Sequence, residues 1–311
     1  MMHVSACALY DGDYHIGAAV LANSMIASGF TGALWIGHRG EPPDWATPLT
    51  DHGKWRSYAA TDGVELRFVS IDHPTLHTAW AKPHFMLRIL DELDPGIDAV
   101  VYFDVDIVTI SPWSFFLDWL ENGVGLCTDI GFPMMAASHP FRRHWRALAK
   151  EAVGRDCRQL DLYFNSGFAA VPRAHRDFLE TWRAVTDHYA ARHPDAPRAL
   201  RIEGREHPFS STDQDFMNVA AMASDVPLSI LGQEGMEFLD TTYGMSHSAQ
   251  APKPWLASYL LRALDGTAPG RHQRWWKHAE GPIRPFSPGR LMWARFSLRV
   301  AAMIGRFYRR R

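Results

Sequence analysis

The chain has few cysteines, and they stand alone at Cys7, Cys127 and Cys157. Three scattered thiols exclude a disulfide framework, and the lack of a Cys-x-x-Cys pair argues against a zinc knuckle. So few thiols are typical of a reducing cytoplasm. The sequence also lacks a basic N-terminal segment and any run of about 18 uncharged apolar residues, so it predicts neither a signal peptide nor a membrane span. We therefore expect a cytoplasmic protein.

Positive charge is scarce over most of the chain and concentrated at one end. With 32 basic and 34 acidic residues in a total of 311, the net charge is −2. Residues 281–311 contain eight arginines and no other charged residue, so this segment carries +8. The remaining 24 basic and 34 acidic residues give residues 1–280 a charge of −10. This balance argues against a nucleic-acid partner, and the basic end predicts contact with an anionic membrane.

Strand-like and helix-like patterns alternate along the first part of the chain. Strands are predicted at 3–10, 33–37, 64–69, 98–103, 124–127 and 167–171, and helices at 14–28, 83–93, 173–190 and 212–223. This alternation predicts an α/β fold with a largely parallel sheet and crossover helices. In such sheets ligands bind at the carboxyl ends of the strands. We expect one α/β catalytic domain over residues 1–270 and a basic amphipathic appendage over 271–311.

A pair of acidic residues interrupts the apolar run VVYFDVDIVTI. Asp104 and Asp106 follow directly on a predicted strand. On an extended chain their Cα atoms lie about 7 Å apart on one face, and a turn there allows both carboxylates to bind one divalent ion. Hard oxygen ligands suit Mg²⁺ or Mn²⁺. The simpler alternative is a pair of loop acids that cap the next element, but their place at a strand end favours the ion.

Five short polar segments follow one another along the chain: YDGDY at residues 10–14, YFDVD at 102–106, FNSG at 164–167, DQDFMN at 213–218 and HSAQAPKPW at 247–255. In this order they resemble motifs of the family 8 (glycogenin and galactosyltransferase-like) GT-A glycosyltransferases. Arg88, sixteen residues before the acidic pair, also matches a family position. The likeness extends over about residues 3–255. It departs from the family at Gln250, which stands where the family usually has the glycine that approaches the diphosphate.

The resemblance implies a GT-A fold: a Rossmann-like mixed central sheet with flanking helices. It also implies a retaining, metal-dependent enzyme of the bacterial lipopolysaccharide type. Such an enzyme moves a hexose from a nucleotide diphosphate sugar, with UDP favoured, to a hydroxyl of a surface glycan or glycolipid. The implied site comprises the metal ligands Asp104, Asp106 and His247 for Mn²⁺ or Mg²⁺, the donor-binding residues Asp11, Tyr14, Arg88, Asn165 and Lys253, and the catalytic residues Asp213 and Gln214.

Two other functions are compatible with parts of this pattern. A nucleotide-sugar-binding GT-A protein without transferase activity is expected to have lost a metal ligand or the lysine, and the sequence keeps both. A metal-dependent nucleotidyltransferase or phosphatase needs a Gly-rich phosphate loop near the N-terminus or an aspartyl nucleophile in a DxDxT pattern. Thr109 stands one place too late for the second pattern. For DQD at 213–215 a further alternative remains open, because acids in a first helical turn also stabilise a helix.

The C-terminal segment 289–311 has the pattern of an amphipathic helix. On a helical wheel one side carries Arg295, Arg299, Arg306 and Arg310, and the opposite side carries Trp293, Phe296, Val300, Met303, Ile304 and Phe307. A cationic face beside bulky apolar residues is typical of interfacial helices. We therefore expect peripheral attachment to the inner face of the cell membrane. The alternative is that the apolar face docks on the catalytic domain or on a second subunit.

Overall fold

A mixed sheet runs through the centre of the protein. The computed structural model describes residues 2–71, 77–196, 201, 204–267 and 269–305. Within these residues the strands are β1 Val4–Tyr10, β2 Gly32–His38, β3 Thr50–Asp51, β4 Arg56–Thr61, β5 Val64–Ser70, β6 Ala99–Phe103, β7 Ile107–Thr109, β8 Val124–Cys127, β9 Phe168–Pro172, β10 Leu228–Leu231 and β11 Met245–His247. Nine of them form one sheet in the order β10-β8-β9-β6-β1-β2-β5-β4-β3, and β7 pairs with β11.

Helices cover both faces of this sheet. They are α1 His15–Ala27, α2 Lys82–Arg88, α3 Trp113–Leu120, α4 Pro140–Val153, α5 Asp177–Arg192, α6 Thr212–Ala223, α7 Tyr259–Leu264, α8 His272–Lys277 and α9 Pro288–Gly305. Side chains of β1 alternate between the two core layers: Cys7 and Leu9 enter one, and Ala6 and Ala8 enter the other. Because both faces are covered, β1 is apolar at successive positions rather than at alternate ones.

The strand directions bring four segments to one edge of the sheet. β1 and β6 are parallel neighbours, and β9 runs antiparallel to both β6 and β8. The carboxyl ends of β1, β6 and β8 therefore lie at the same edge as the start of β9. Ligands of open α/β sheets bind at this edge.

The predicted fold class is confirmed. The element bounds are close to the predicted ones, and α6 spans the predicted 212–223. The predicted helix at 173–190 differs at its start, because a short turn at Arg173–His175 precedes α5. Among the described helices, none is both long and apolar enough to cross a membrane.

The C-terminal helix α9 packs on the protein through one face. Ala294, Leu298 and Ala301 are buried in a third core layer, which also holds Val20 of α1 and Trp255. Of the predicted apolar face, Ile304 packs against this layer, whereas Trp293, Phe296 and Met303 are exposed. Arg306, Phe307 and Arg310 of the predicted pattern lie outside the described residues, and the division at residue 270 stays a prediction.

Candidate active site

The turn after β6 places two carboxylates at the ligand-binding edge. The chain leaves β6 at Phe103 and turns through 104–106 into β7. The amide of Ile107 closes the turn by donating to the carbonyl of Asp104 at 3.0 Å. As a result, carboxylate oxygens of Asp104 and Asp106 lie within 4.8 Å of each other. This is the turn that a shared cation requires.

His247 joins the two acids through the ladder between β7 and β11. Its backbone is in register with Ile107. Its Nε2 lies 3.2 Å from Oδ1 of Asp106 and 3.9 Å from Oδ2 of Asp104. Asp106 and His247 are buried, whereas the side chain of Asp104 is 31% exposed. The cluster therefore opens to solvent on the side of Asp104.

The donor set of this cluster fits a divalent cation. Two carboxylates with one imidazole favour Mn²⁺ over Mg²⁺, because Mg²⁺ prefers oxygen ligands alone. Gly167 makes room for the imidazole, since a Cβ at this position would lie 2.4 Å from Cε1 of His247. The hydroxyl of Ser248, next in the chain, is buried without a hydrogen-bond partner among the described residues.

Lys253 balances the charge of the buried Asp106. Its Nζ donates to Oδ2 of Asp106 at 2.5 Å and to the carbonyl of Ala249 at 3.2 Å. Burial alone would raise the pKa of Asp106, but His247 and Lys253 outweigh burial and hold this pKa below its usual range. Burial would likewise lower the pKa of Lys253, and Asp106 raises it above its usual value. At neutral pH the pair is therefore ionised, with an ammonium beside the two carboxylates.

A second lysine, Lys82, connects this cluster to α6. Its Nζ lies 2.9 Å from Oδ2 of Asp213 and 3.2 Å from Oδ1 of Asp104, and it donates to the carbonyl of Ser166 at 2.9 Å. It also lies 5.0 Å from the ring centre of Tyr102. Burial lowers the pKa of Lys82, but the two carboxylates outweigh burial and raise it overall. A charged lysine at 2% exposure is therefore held between two acids.

Lys82 is not among the site residues predicted from the sequence. The predicted Arg88 lies at the other end of α2 and contacts the carbonyl of Ser70 at 3.5 Å and Glu92 at 3.8 Å. The structure does not bring Arg88 into the acidic cluster, and its contact with a diphosphate stays a prediction. A signal for Lys82 was present, because it is the one Lys, Arg, Asp or Glu in the largely apolar run 80–87.

The first turn of α6 supplies the two predicted catalytic residues. Asp213 accepts hydrogen bonds from Lys82 and, at 2.7 Å, from the hydroxyl of Ser166. Oε1 of Gln214 accepts from the amide of Ser166 at 3.2 Å. Both side chains are therefore fixed against the segment that precedes β9.

Asp129 links Gln214 to the predicted donor-binding residue Asn165. Its Oδ1 accepts from Nδ2 of Asn165 at 2.8 Å and from Nε2 of Gln214 at 3.2 Å. Its Oδ2 accepts from the amide of Gly131 at 2.8 Å. Asp129 is not among the predicted site residues, although it follows the end of β8 by two residues, at the same edge as Asp104.

Asp215 has a structural role at the start of α6, through hydrogen bonds rather than through a charge next to the helix dipole. The carboxylate of Asp215 accepts from the amide of Ser211 at 2.8 Å and from the hydroxyl of Tyr163 at 2.7 Å. Burial raises the pKa of Asp215 to about 8 despite these two hydrogen bonds. Asp215 is therefore a neutral, structural acid at neutral pH, whereas Asp213 lies against Lys82.

The predicted nucleotide-binding loop lies beside the segment of Lys253. Tyr14 is 38% exposed and meets the ring of Trp255 edge-on, with centroids 5.2 Å apart. Asp11 is exposed and pairs with Arg39 at 3.2 Å. Gly12 between them has φ of +53°, a conformation that favours glycine. Segment 253–255 therefore connects the loop to the metal-ligand cluster, and both lie at the ligand-binding edge of the sheet, which we call the crevice.

Solved glycosyltransferases have a similar fold. The bifunctional glycosyltransferase WbbM matches with a TM-score of 0.54 and 16% identity over 95% of this chain and 52% of its own, so the present chain spans about half of WbbM. The galactosyltransferase LgtC, solved with donor and acceptor sugar analogues, matches with a TM-score of 0.51 and 16% identity over 92% of this chain and 98% of its own. The glycosyltransferase GlyE of Streptococcus pneumoniae TIGR4 matches with a TM-score of 0.51 and 14% identity over 96% of this chain and 64% of its own.

These identities show the fold alone, and the predicted GT-A architecture is thereby confirmed. A structure of LgtC with an active-site glutamine replaced by glutamate also matches, with a TM-score of 0.50 at 15% identity. No family model matches the chain, and no curated protein matches its sequence significantly.

Proposed function

We propose that the protein is a metal-dependent glycosyltransferase that moves a hexose, with retention of configuration, from a UDP-sugar to an acceptor hydroxyl. One observation carries this proposal. The cluster of Asp104, Asp106 and His247 lies at the ligand-binding edge of the sheet, and Lys82 joins it directly to Asp213. Ligands for a metal and polar side chains for a sugar thus meet at one place. The solved structures with this fold are glycosyltransferases, which supports the proposal.

In this proposal the crevice binds the donor along its length. Tyr14 stacks on the base, which contributes about 1–3 kcal/mol, and Asp11 accepts a hydrogen bond from it. Asp104, Asp106 and His247 hold Mn²⁺, which supplies Lewis-acid stabilisation of the diphosphate when it is bound. Lys253 adds a point charge where negative charge develops on the leaving diphosphate.

The residues around α6 bind the donor sugar. Asp213 is fixed by Lys82 and Ser166, so its carboxylate is oriented before a substrate arrives. Gln214 is fixed by Ser166 and Asp129. We assign Gln214 to a position next to the anomeric carbon of the donor sugar, and Asn165, which shares Asp129 with it, to a contact with the same sugar. The active-site glutamine of LgtC supports this assignment. Because these groups are held in place, little reorganisation is needed when charge develops.

The proposed acceptor is a surface glycan or glycolipid at the inner face of the cell membrane. Trp293, Phe296 and Met303 of α9 are 60%, 53% and 53% exposed, which is unusual for such large apolar side chains on one helix. Arginines on the same helix would attract an anionic leaflet. LgtC was solved with an acceptor sugar analogue, which supports a sugar acceptor.

A nucleotide-sugar-binding protein without transferase activity is the second candidate. Such a protein is expected to lack a metal ligand or the lysine next to it. The structure favours the enzyme, because all three ligand atoms lie within 4.8 Å and Lys253 contacts one of the ligands.

Donor turnover tests this function. The protein is incubated with a panel of nucleotide sugars, and release of the nucleoside diphosphate is measured with Mn²⁺, with Mg²⁺ and with EDTA. We expect release from one UDP-hexose, fastest with Mn²⁺ and absent in EDTA, and NMR of the product should show the anomeric configuration of the donor. Asp118→Asn, at an exposed position on α3, is the matched control for Asp104→Asn, which should lower turnover by orders of magnitude. Undiminished turnover in EDTA would contradict metal dependence.

A further inference from the structure

A groove runs between α9 and the segment 279–286 that precedes it. It has a volume of about 550 Å³ and lies outside the crevice described above. Its apolar walls are formed by Ala279, Phe286, Pro288, Leu291, Met292 and Phe296. Leu291, Arg295 and Arg299 are spaced four residues apart, so one stripe of α9 forms a whole side of the groove.

Three arginines and one acid form the polar part of the groove: Arg284, Arg295, Arg299 and Glu280. Arg295 is paired with Glu280 at 2.6 Å. Arg284 and Arg299 are exposed, and neither guanidinium group makes a hydrogen bond or an ion pair with another described residue. The groove therefore has two uncompensated positive charges beside an apolar wall.

The groove adjoins the exposed apolar side of α9. Phe296 and Met292 line the groove and are 53% and 71% exposed. Trp293, which follows Met292 in the chain, is 60% exposed. The side of α9 that packs on the protein is formed instead by Ala294, Leu298 and Ala301. The helix thus docks through Ala294, Leu298 and Ala301 while Met292, Trp293 and Phe296 stay exposed.

We propose that this groove binds the phosphate and the first part of an acyl chain of an anionic phospholipid, in a bilayer into which α9 inserts its exposed side chains. The proposal rests on the membrane location proposed above and gives it a specific site. Guanidinium groups bind phosphate oxygens in a planar, bidentate way, and the apolar wall suits hydrocarbon. A second copy of the chain fits less well, because this basic surface would face its own like charges.

Vesicle binding tests the proposal. The full chain is sedimented with vesicles of phosphatidylcholine alone and with vesicles of phosphatidylcholine and phosphatidylglycerol in equal parts. We expect binding to the mixed vesicles only. The variant Arg284→Gln/Arg299→Gln should bind them about 30-fold more weakly, which corresponds to about 1 kcal/mol for each basic residue near an anionic surface.

A matched control removes two positive charges elsewhere. Lys54→Gln/Arg143→Gln changes exposed residues of the β3–β4 turn and of α4, and it should bind like the wild type. If both double variants lose affinity equally, the attraction is general and the groove is not a site. If the wild type does not bind the mixed vesicles even at low salt, the phospholipid site is wrong. Sedimentation velocity tests the remaining alternative. If the wild type is a dimer and Phe296→Ser makes it a monomer, the groove binds a second copy of the chain instead.

The test is independent of the reaction. Release of nucleoside diphosphate in vesicle-free buffer should be equal for the wild type and the Arg284→Gln/Arg299→Gln variant, because neither arginine lies in the crevice. A wild type that binds the vesicles through the groove but turns over no donor would contradict the enzyme and leave the lipid site standing. An active enzyme that does not bind the vesicles would contradict the lipid site and leave the proposed enzyme standing.

Discussion

One ammonium, that of Lys82, is shared by the carboxylates of Asp104 and Asp213. Replacing this lysine leaves the two acids close together without a cation. Breaking a buried pair in this way costs about 3 kcal/mol or more. We therefore expect Lys82→Met to lower the free energy of unfolding by about 3 kcal/mol, measured by urea denaturation.

A neighbouring substitution distinguishes lost charge balance from lost packing. Asp213→Asn added to Lys82→Met removes one of the two uncompensated charges, so the double variant should recover part of the stability. Lys150→Met is the control, because the exposed pair of Lys150 with Asp156 contributes about 0–1 kcal/mol. A Lys82→Met variant as stable as Lys150→Met would show that the buried lysine is not needed to balance the acids.

The protonated state of Asp215 makes stability depend on pH. Burial raises its pKa to about 8 in the folded protein, whereas an unfolded aspartate titrates near 4. Between these values the folded state holds a proton that the unfolded state has released. The stability contributed by this group is therefore present below pH ~4 and falls by up to about 1.4 kcal/mol per pH unit as pH rises toward ~8.

Asp215→Asn should remove this dependence, because an amide resembles the neutral acid and cannot ionise. We expect the variant to gain stability relative to the wild type as pH is raised, with unfolding free energies compared at about pH 5 and about pH 7.5. Asp118→Asn, at an exposed site, controls for the change of net charge. Parallel pH profiles for Asp215→Asn and the wild type would mean that Asp215 is ionised in the fold.

At the scale of elements, the start of β9 and the end of β11 approach so closely that only a glycine fits between them. A methyl group at Gly167 would lie 2.4 Å from Cε1 of His247 and 2.9 Å from Oδ1 of Asn165. Gly167→Ala should therefore displace the imidazole and weaken Mn²⁺ binding by about 10–100-fold, as calorimetric titration would show. Gly96→Ala is the control, since a Cβ there meets no atom within 4 Å. Equal Mn²⁺ affinity in both variants would mean that His247 is not a ligand.

Elements with a strong local pattern were predictable from the sequence. β1 and β6 are continuous apolar runs, and α6 begins with two acidic residues in its first turn. The predicted bounds of all three lie within one residue of the observed ones. The ladder of β7 with β11 was not predictable, because each strand has three residues and the pairing joins distant parts of the chain. Lys82 and Asp129 were missed for the same reason: topology, rather than sequence spacing, brings them to Asp104 and Gln214.

For the whole molecule, a bound cation should act as a stabilising ligand. Metal at a hundred times its dissociation constant adds about 2.7 kcal/mol to the folded state. In a chain of this length that corresponds to a rise in Tm of about 4 °C. We expect this rise with Mn²⁺ and a smaller one with Mg²⁺. Asp106→Asn should abolish it, and a shift of equal size in that variant would place the cation elsewhere.

The side chain of Asn23 in α1 joins the first crossover helix to the segment 278–283. Its amide donates to the carbonyls of His278 and Ile283 and accepts from the amide of Ile283, across 260 positions of sequence. A ribosome makes α1 early, but the partners of this buried amide are made 255 and 260 residues later. The first crossover of the sheet therefore cannot reach its final packing on the nascent chain. A chain that stops before Ile283 should remain a client of chaperones, however complete its crevice is.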